Sequence, residues 1–593
     1  MTNERDTRGR SGSTSAAWAL VALLVFLATA AVTFEGLWRH GPSTFVATGA
    51  VPDGEYATVW QDFTRADAIF EAWLVARNAR TLAHRPWALF DTEHCAPAER
   101  TLTLGVPMIT MGLLGIPMYL ASSEPVLTYN ASILLLFLAA AFCAFAVISD
   151  WTGEPAAGVV GGLVFGFAAL RLDNITHPSV LDIAWTGYAL YFARRLLTHG
   201  RWRDAIGLAI AGVLQVWASF YTLLAAVFLL PPLGIWLLRR FGLRRVRIAQ
   251  LALVAGAVLG GALILFPPYL AARESMGILS RAESEYHFAA WSDYLPGGTL
   301  YFGSTAWVLG TAALFFRSRT LFPKALGNPR PVLAIAALLV AAISTGPNLL
   351  HPGSDTPVRW GTIEPLPGLN LSLYHTAAQI IPGMDAIRVV TRLSVGAHLS
   401  LSILAGIGAA GLLRLSGRFR TIMAIALITA AFFDVARPGN FAGPKRHAWT
   451  YHQARSSDAA IGFFETLAKM GNHGPLLELP IAKGLGVSVQ PPRRIMLTVH
   501  HGRRTSSCFG SYVSPATAAL EDLSARLPAP EVVAQLRDLG FTTVIVDKNT
   551  YWAAGFEARQ RRAKSEGSTW LRLLHSSEDT DAYSLGAPTR VQL

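Results

Sequence analysis

Apolar residues come in long runs along this chain, separated by short basic clusters and a few longer polar stretches. Twelve runs stand out: residues 16–34, 102–121, 126–149, 155–171, 178–197, 204–218, 221–238, 248–266, 302–316, 331–350, 392–413 and 419–436. A helix needs about 20 apolar residues to cross a bilayer, fewer where neighbours shelter it. The basic clusters decide which runs cross, because Lys and Arg gather on the cytoplasmic side. They are Arg5/Arg8/Arg10, Arg194/Arg195/Arg201/Arg203, Arg239/Arg240/Arg244/Arg245/Arg247, Arg317/Arg319/Lys324/Arg330 and Arg414/Arg418/Arg420. If all twelve runs cross, the last four clusters face outward. If one run before Arg194 does not cross, every cluster faces inward. The run 102–121, LTLGVPMITMGLLGIPMYLA, is interrupted by glycines and two prolines and reads as helix lying on the membrane. Eleven crossings remain, with the N-terminus inside and the C-terminus outside. The first run reads as a retained anchor, since it is span-length and lacks a small-residue cleavage site. The join at Ser219–Tyr221 stays open: residues 204–238 are too long for one ordinary span and tight for two.

Beyond residue 437 the pattern changes. Apolar runs shorten, and Asp, Glu and Lys become common. LLELPI (476–481) and FTTVIVD (541–547) read as buried strands. PAPEVVAQLRDLG (528–540) reads as a helix stopped by Gly540. The expected fold is therefore an all-α polytopic membrane bundle of about eleven transmembrane helices with a small α/β extracytoplasmic C-terminal domain. Residues 1–15 form a cytoplasmic tail, 16–436 the membrane domain with a first outer loop at 35–125, and 437–593 the outer domain.

Composition agrees with lipid as the solvent. The chain is 52% apolar and 15% charged, against about 25% charged in soluble domains. The net charge of +12 sits in clusters between spans, the pattern of membrane orientation rather than of nucleic-acid binding. No phosphate-cradling G-x-x-x-x-G-K, H-E-x-x-H or C-x-x-C occurs. Gly158, Gly161, Gly162 and Gly166 lie inside a span and read as close helix packing.

Candidate chemistry lies in the outer segments. The loop 51–73, VPDGEYATVWQDFTRADAIFEAW, carries Asp53, Glu55, Asp62, Asp67 and Glu71 in a chain otherwise poor in acid. Other polar residues expected on the same face are Asp91, His94, Arg171, His177, Glu283, His287, Arg388 and Arg392, with Asp182 inside the following span. Ionisable groups at membrane depth are costly and usually functional, although Asp182 also fits a hydrogen bond to a neighbouring helix. Arg388 and Arg392 are spaced one helical turn apart beside a span, and a forked guanidinium suits a phosphate; interfacial snorkelling is the bland alternative. A carboxylate near bound phosphate suggests transfer from a lipid-phosphate-activated donor, with the carboxylate taking the acceptor's proton and arginine holding the leaving phosphate. Cys95 and Cys508 both fall outside, where an oxidising compartment permits a bond. Sequence supplies no distance between them, and two free thiols are the expected state.

ADAIFEAW (66–73), PWALFDTEHCAPAERTL (86–102), LRLDNITHPSVLDIAW (170–185), GVLQVWASFYT (212–222), SEYHFAAWSDYL (284–295) and IPGMDAIRVVTRLS (381–394) give the chain a resemblance that covers most of its length. In order and character it resembles the GT-C superfamily of integral membrane glycosyltransferases, and within it a bacterial branch. The resemblance implies a membrane enzyme of the bacterial cytoplasmic membrane. Such an enzyme moves a hexose or pentose from a polyprenyl-phosphate donor to a glycan, lipid or protein acceptor on the extracytoplasmic side. It implies inversion and a carboxylate base in the first outer loop. Asp67, with a tryptophan six residues on, matches that position best, followed by Asp62. His177, Asp182, Glu283, His287, Arg388, Arg392, Asp91 and His94 are the implied substrate-binding residues. No cofactor is required by it; a divalent metal is an option, and Asp53 and Glu55 have the spacing of the acidic pair that would hold one. Two other readings are a lipid-linked glycan flippase, which should show two related halves not visible here, and a non-catalytic membrane scaffold.

Overall fold

The computed structural model describes residues 3–49, 57–276, 285–286, 288–296, 298, 300–316, 327–346, 358–359, 373–384, 387, 389–436, 448–470, 473–481, 490–512, 514–566 and 571–585. Six described helices are long and apolar enough to cross a membrane: Ala16–Thr33, Pro125–Thr152, Pro155–Asp173, Phe220–Phe241, Ile248–Glu274 and Val390–Leu415. The other five expected crossings are shorter helices, Ala184–His199, Trp202–Ala218, Ser304–Phe315, Arg330–Ser344 and Arg420–Val435. The chain is a multi-pass membrane protein. Residues 204–238 resolve into two helices. Ser219 is extended (φ −156°, ψ 146°) between Trp202–Ala218 and Phe220–Phe241, and its side chain caps the second by accepting from the Tyr221 amide. One residue thus turns the chain where the sequence left too few for a loop.

Small residues set the middle of the bundle. A Cβ on Gly162 would lie 2.7 Å from the Ala141 carbonyl, one on Gly166 3.0 Å from Ala141 Cα, and one on Gly161 3.2 Å from the Ser402 carbonyl. These glycines let Pro155–Asp173 touch Pro125–Thr152 and Val390–Leu415 backbone to backbone.

The two ends of the bundle differ in charge. Around the C-terminal end of Pro125–Thr152, Arg194 pairs with Asp150, Arg195 with Asp204 (3.0 Å), and both Arg414 (3.1 Å) and Arg420 with Glu154. Arg245 donates to the Thr198 carbonyl and Gln250 to that of Gly200. Basic clusters distant in sequence therefore meet at one end. The N-terminal end of the same helix meets the first loop instead: Asn130 donates to the Thr44 carbonyl (2.7 Å) and Ser43 to Glu124 (3.1 Å).

That first loop contains strand β1 (Thr44–Gly49), the helix Ala57–His84 and the helix Ile109–Ser122. The run 102–121 breaks into a 3-10 turn, Thr101–Leu104, and the 14-residue helix Ile109–Ser122 with Pro117 inside. The helix lies against Ala57–His84, where Asn78 donates to the Pro107 carbonyl (2.8 Å). Strands β2 (Glu285–Tyr286) and β3 (Val358–Arg359) form a two-residue antiparallel pair.

Strand β4 (Ala448–Gln453) opens the tail and pairs antiparallel with β1, Thr44 opposite Gln453 and Gly49 opposite Ala448. The tail sheet has the order β5 (Leu476–Leu479), β6 (Thr543–Asp547), β8 (Thr580–Leu585), β7 (Leu571–Ser576). The first pair is parallel and the others antiparallel. The helix Pro530–Asp538 leads into β6 through Gly540, whose φ of +88° suits a glycine stop. The tail is sewn to the first loop. Cys95 and Ala96 donate to the carbonyls of Ser507 and Thr505, and Thr505 returns one to Glu93. Cys95 and Cys508 form a disulfide, Cα–Cα 4.3 Å. This corrects the expectation of two free thiols: the strand-like exchange between 93–96 and 505–507 brings together cysteines 413 residues apart.

Two outcomes follow. Alkylation of the denatured chain should modify one cysteine, the buried Cys143, before reduction and three after it; three labels without reductant contradict the pairing. The charge rule assigns the basic end to the cytoplasm. In intact cells an impermeant thiol reagent should therefore label Ala459→Cys and spare His199→Cys, both exposed positions. Equal labelling contradicts that orientation.

Candidate functional site

The helix Ala57–His84 positions the candidate base. One side of it is buried: Phe70, Trp73 and Leu74 are under 9% exposed. Phe70 rests on Phe509 (5.2 Å) and Trp73 on His94 (5.2 Å), and the Trp73 indole donates to Thr498 (2.8 Å). Asp67 and Glu71, one turn apart, share the face of the helix that also carries Leu74 and turns toward the start of the bundle.

There Asp67 Oδ2 meets His177 Nε2 at 3.0 Å. The ring's Nδ1 lies 3.2 Å from the Thr176 hydroxyl. Burial first, and the Arg392 charge second, push the His177 imidazole below its ordinary range, against the pull of Asp67. A neutral ring fits both contacts: Nε2–H donates to the carboxylate and Nδ1 accepts from Thr176. Arg392 sits in the 3-10 turn Val390–Leu393 at the head of a span, its guanidinium 5.1 Å over the Tyr221 ring. None of the ion pairs among the described residues involves Arg392. Its charge acts on both Glu71 and His177. Asp67, Glu71, His177 and Arg392 thus converge from three separate segments, at the end of the bundle opposite the basic clusters.

Other expected residues stand elsewhere. Asp182 is fully buried, accepting from Thr110 and from the Trp185 indole (2.6 Å); it ties the membrane-lying helix to the bundle. His94 is 1% exposed, bonded to Thr92 (2.5 Å), and burial lowers its pKa to about 3. It packs behind Trp73 as a neutral ring. Asp91 is exposed. Arg171 is wholly buried and donates to the carbonyls of Gly166, Leu181 and Leu136. Asp53, Glu55, Glu283, His287 and Arg388 lie outside the described residues; Asp62 falls on the helix, but its side chain lies outside them. Val389, just before the turn that carries Arg392, is non-helical (φ −100°, ψ 77°); the one-turn spacing expected for 388 and 392 falls outside the described residues. Among the described residues no three His, Cys, Asp or Glu side chains gather to hold a metal.

Glu71, one of the acids of the 51–73 loop and one turn after Asp67, was not among the expected site residues, and neither was Tyr129, which reads in sequence as part of an apolar span and feels the charges of Glu71 and Asp67. A cavity of about 440 Å³ opens on the other face of the helix, lined by Arg77, Arg80, Glu124, Arg455, Glu465 and His500.

The sequence matches no protein family and no curated protein. Solved structures do match. The mycobacterial arabinofuranosyltransferase AftD aligns over 96% of this chain and 40% of its own, with a TM-score of 0.51 and 13% identity. The fold is GT-C-like. This chain spans about two fifths of that transferase's length. ArnT from Cupriavidus metallidurans, bound to undecaprenyl phosphate, aligns over 97% of this chain and 98% of its own, at a TM-score of 0.40 and 11% identity.

The lowered His177 pKa sets a pH expectation for this site. A group depressed in the folded state stays neutral at the free imidazole value of about 6.5. Any pH-dependent property that needs the neutral ring should hold through 6.5 and fall only at lower pH. A limb centred at 6.5 or above contradicts the neutral His177.

Proposed function

We propose that the protein is an inverting membrane glycosyltransferase that moves a sugar from a polyprenyl-phosphate donor to an acceptor on the extracytoplasmic side of the bacterial cytoplasmic membrane. One observation carries the reading. Asp67 is oriented by His177 beside an arginine that pairs with no described carboxylate, at the non-basic end of a GT-C-like bundle. The N-terminus is then inside and the 437–593 domain outside.

The steps follow from charge. The acceptor hydroxyl gives its proton to Asp67 as its oxygen bonds to C1 of the sugar. The bond from C1 to the phosphate oxygen breaks, its electron pair staying on the phosphate, and polyprenyl phosphate leaves. His177 holds the Asp67 carboxylate through Nε2–H and leaves its second oxygen for the acceptor. Arg392 faces the charge that grows on the leaving phosphate. Its guanidinium braced on Tyr221 fits a phosphate at the membrane surface, where a polyprenyl chain would lie in lipid.

Transfer of labelled sugar from undecaprenyl-phosphate hexoses and pentoses, in reconstituted membranes, tests this. Asp67→Asn should cut the rate by about 10²–10⁴ while donor binding persists. Arg392→Lys keeps charge but loses the fork, so it should weaken donor binding more than turnover. Wild-type transfer by Asp67→Asn would remove Asp67 as the base.

A further inference from the structure

Two polar atoms beside Asp67 have no hydrogen-bond partner among the described residues: Glu71 Oε2 and the Tyr129 hydroxyl. Both are sealed from solvent, and Tyr129 is 1% exposed as a whole residue. They come from different elements, the first-loop helix and the head of Pro125–Thr152. The two helices that carry them pack against each other, the charges of Glu71 and Asp67 both act on Tyr129, and the two open atoms do not bond each other. Buried donors and acceptors rarely stay unpaired, because burial removes their water without replacing it. A pair left open at the edge of a reactive site marks a place where a ligand supplies the missing partner.

The chemistry of that ligand follows from position. In the proposed transfer the acceptor oxygen attacks C1 from the Asp67 side, and the phosphate departs on the Arg392 side. The sugar ring lies between. Glu71 stands one turn after Asp67 on the same helix and also feels the Arg392 charge, a position that suits contact with the ring. Burial, and then the Asp67 charge, hold its carboxyl well above the usual carboxylate range. A protonated carboxyl donates as well as accepts, as does a tyrosine hydroxyl. Sugar hydroxyls need both.

We propose that Glu71 and Tyr129 form the subsite that holds ring hydroxyls of the transferred sugar and so select which sugar is accepted. The subsite rests on the transferase reading above. It gives Glu71 a role distinct from the base: recognition of the ring, with no proton moved during transfer. A site built to bond a hydroxyl rejects a ring that lacks it or turns it away, because its own buried groups then go unpaired.

The test compares lipids with and without a sugar, on full-length protein in nanodiscs. The probes are undecaprenyl phosphate and a panel of undecaprenyl-phosphate hexoses and pentoses. Wild-type protein should prefer at least one sugar lipid to the bare phosphate. Tyr129→Phe and Glu71→Met should each weaken that sugar lipid about tenfold and leave undecaprenyl phosphate unchanged. Glu71→Gln, which still bonds a hydroxyl, should restore most of the loss. Equal loss for both lipids would mean that the residues act on the fold, and unchanged sugar binding would mean that water satisfies them; either overturns the subsite. If wild-type protein binds neither class of lipid, the transferase reading falls and the subsite with it, an outcome separable from the others because no variant is needed to see it.

Discussion

The geometry at Asp67 depends on holding one 28-residue helix, Ala57–His84, at a fixed rotation about its own axis. A slip of one residue turns a helix by about 100°, enough to swing Asp67 away from His177. Several contacts oppose that. Trp73 is 0% exposed and pinned by its indole to Thr498. Arg77, 3% exposed, donates to the carbonyls of Ala88, Leu89 and Asp91. Asn78 reaches the Pro107 carbonyl, and a Cβ on Gly112 would lie 2.6 Å from Asn78 Cβ, so the two helices are in contact at their backbones. Trp73 and Arg77 lie on a face other than that of Asp67 and Glu71, while Asn78, two turns after Glu71, holds the same side of the helix further along.

Those anchors also explain the tail. The helix is held partly by residues more than 400 positions away, and the tail must therefore stay in place. Strand pairing of β1 with β4, the 93–96 exchange with 505–507 and the Cys95–Cys508 bond join the two along different lines. Phe509, next to that cysteine, rests on Phe70, three residues from Asp67. The path from covalent link to candidate base is thus short: Cys508, Phe509, Phe70, Asp67. Two-stranded pairs are marginal alone, and the combination with buried aromatics makes the junction firm.

Local signals were readable in the sequence, and distant ones were not. Spans, the strands 476–479 and 543–547 and the helix ending before Gly540 follow from runs and stops that a window of residues contains. Gly161, Gly162 and Gly166 were rightly read as packing positions. Asp67 stood out through its resemblance, and His177 through its place among outer polar residues. What failed depended on tertiary distance. Nothing local separates His177, which meets Asp67, from His94, which lies behind Trp73. Asp182 reads from sequence as a substrate-binding acid or a hydrogen bond to a neighbouring helix, and only the placement of Thr110 and Trp185 shows the bonds it makes. TFVATG (44–49) and AWTYHQ (448–453) pair across 400 residues with no mark in either stretch.

The charge inventory at the site joins these features. Burial favours the neutral forms of Glu71 and His177, and the proposed step uses the Asp67 carboxylate and the Arg392 guanidinium. A donor phosphodiester brings one negative charge, which Arg392 can face without displacing a carboxylate. During the proposed transfer the leaving phosphate gains one negative charge and Asp67 loses one by taking the acceptor's proton. The net charge of the site is then the same before and after the step, and the change is a displacement from the Asp67 side of the sugar toward Arg392. In a low-dielectric setting a displacement toward a fixed cation costs far less than the creation of net charge. A second ionised carboxylate at Glu71 would oppose that displacement, since it too lies near Arg392. Burial of Glu71 in its neutral form therefore serves the same electrostatic end as the open arginine.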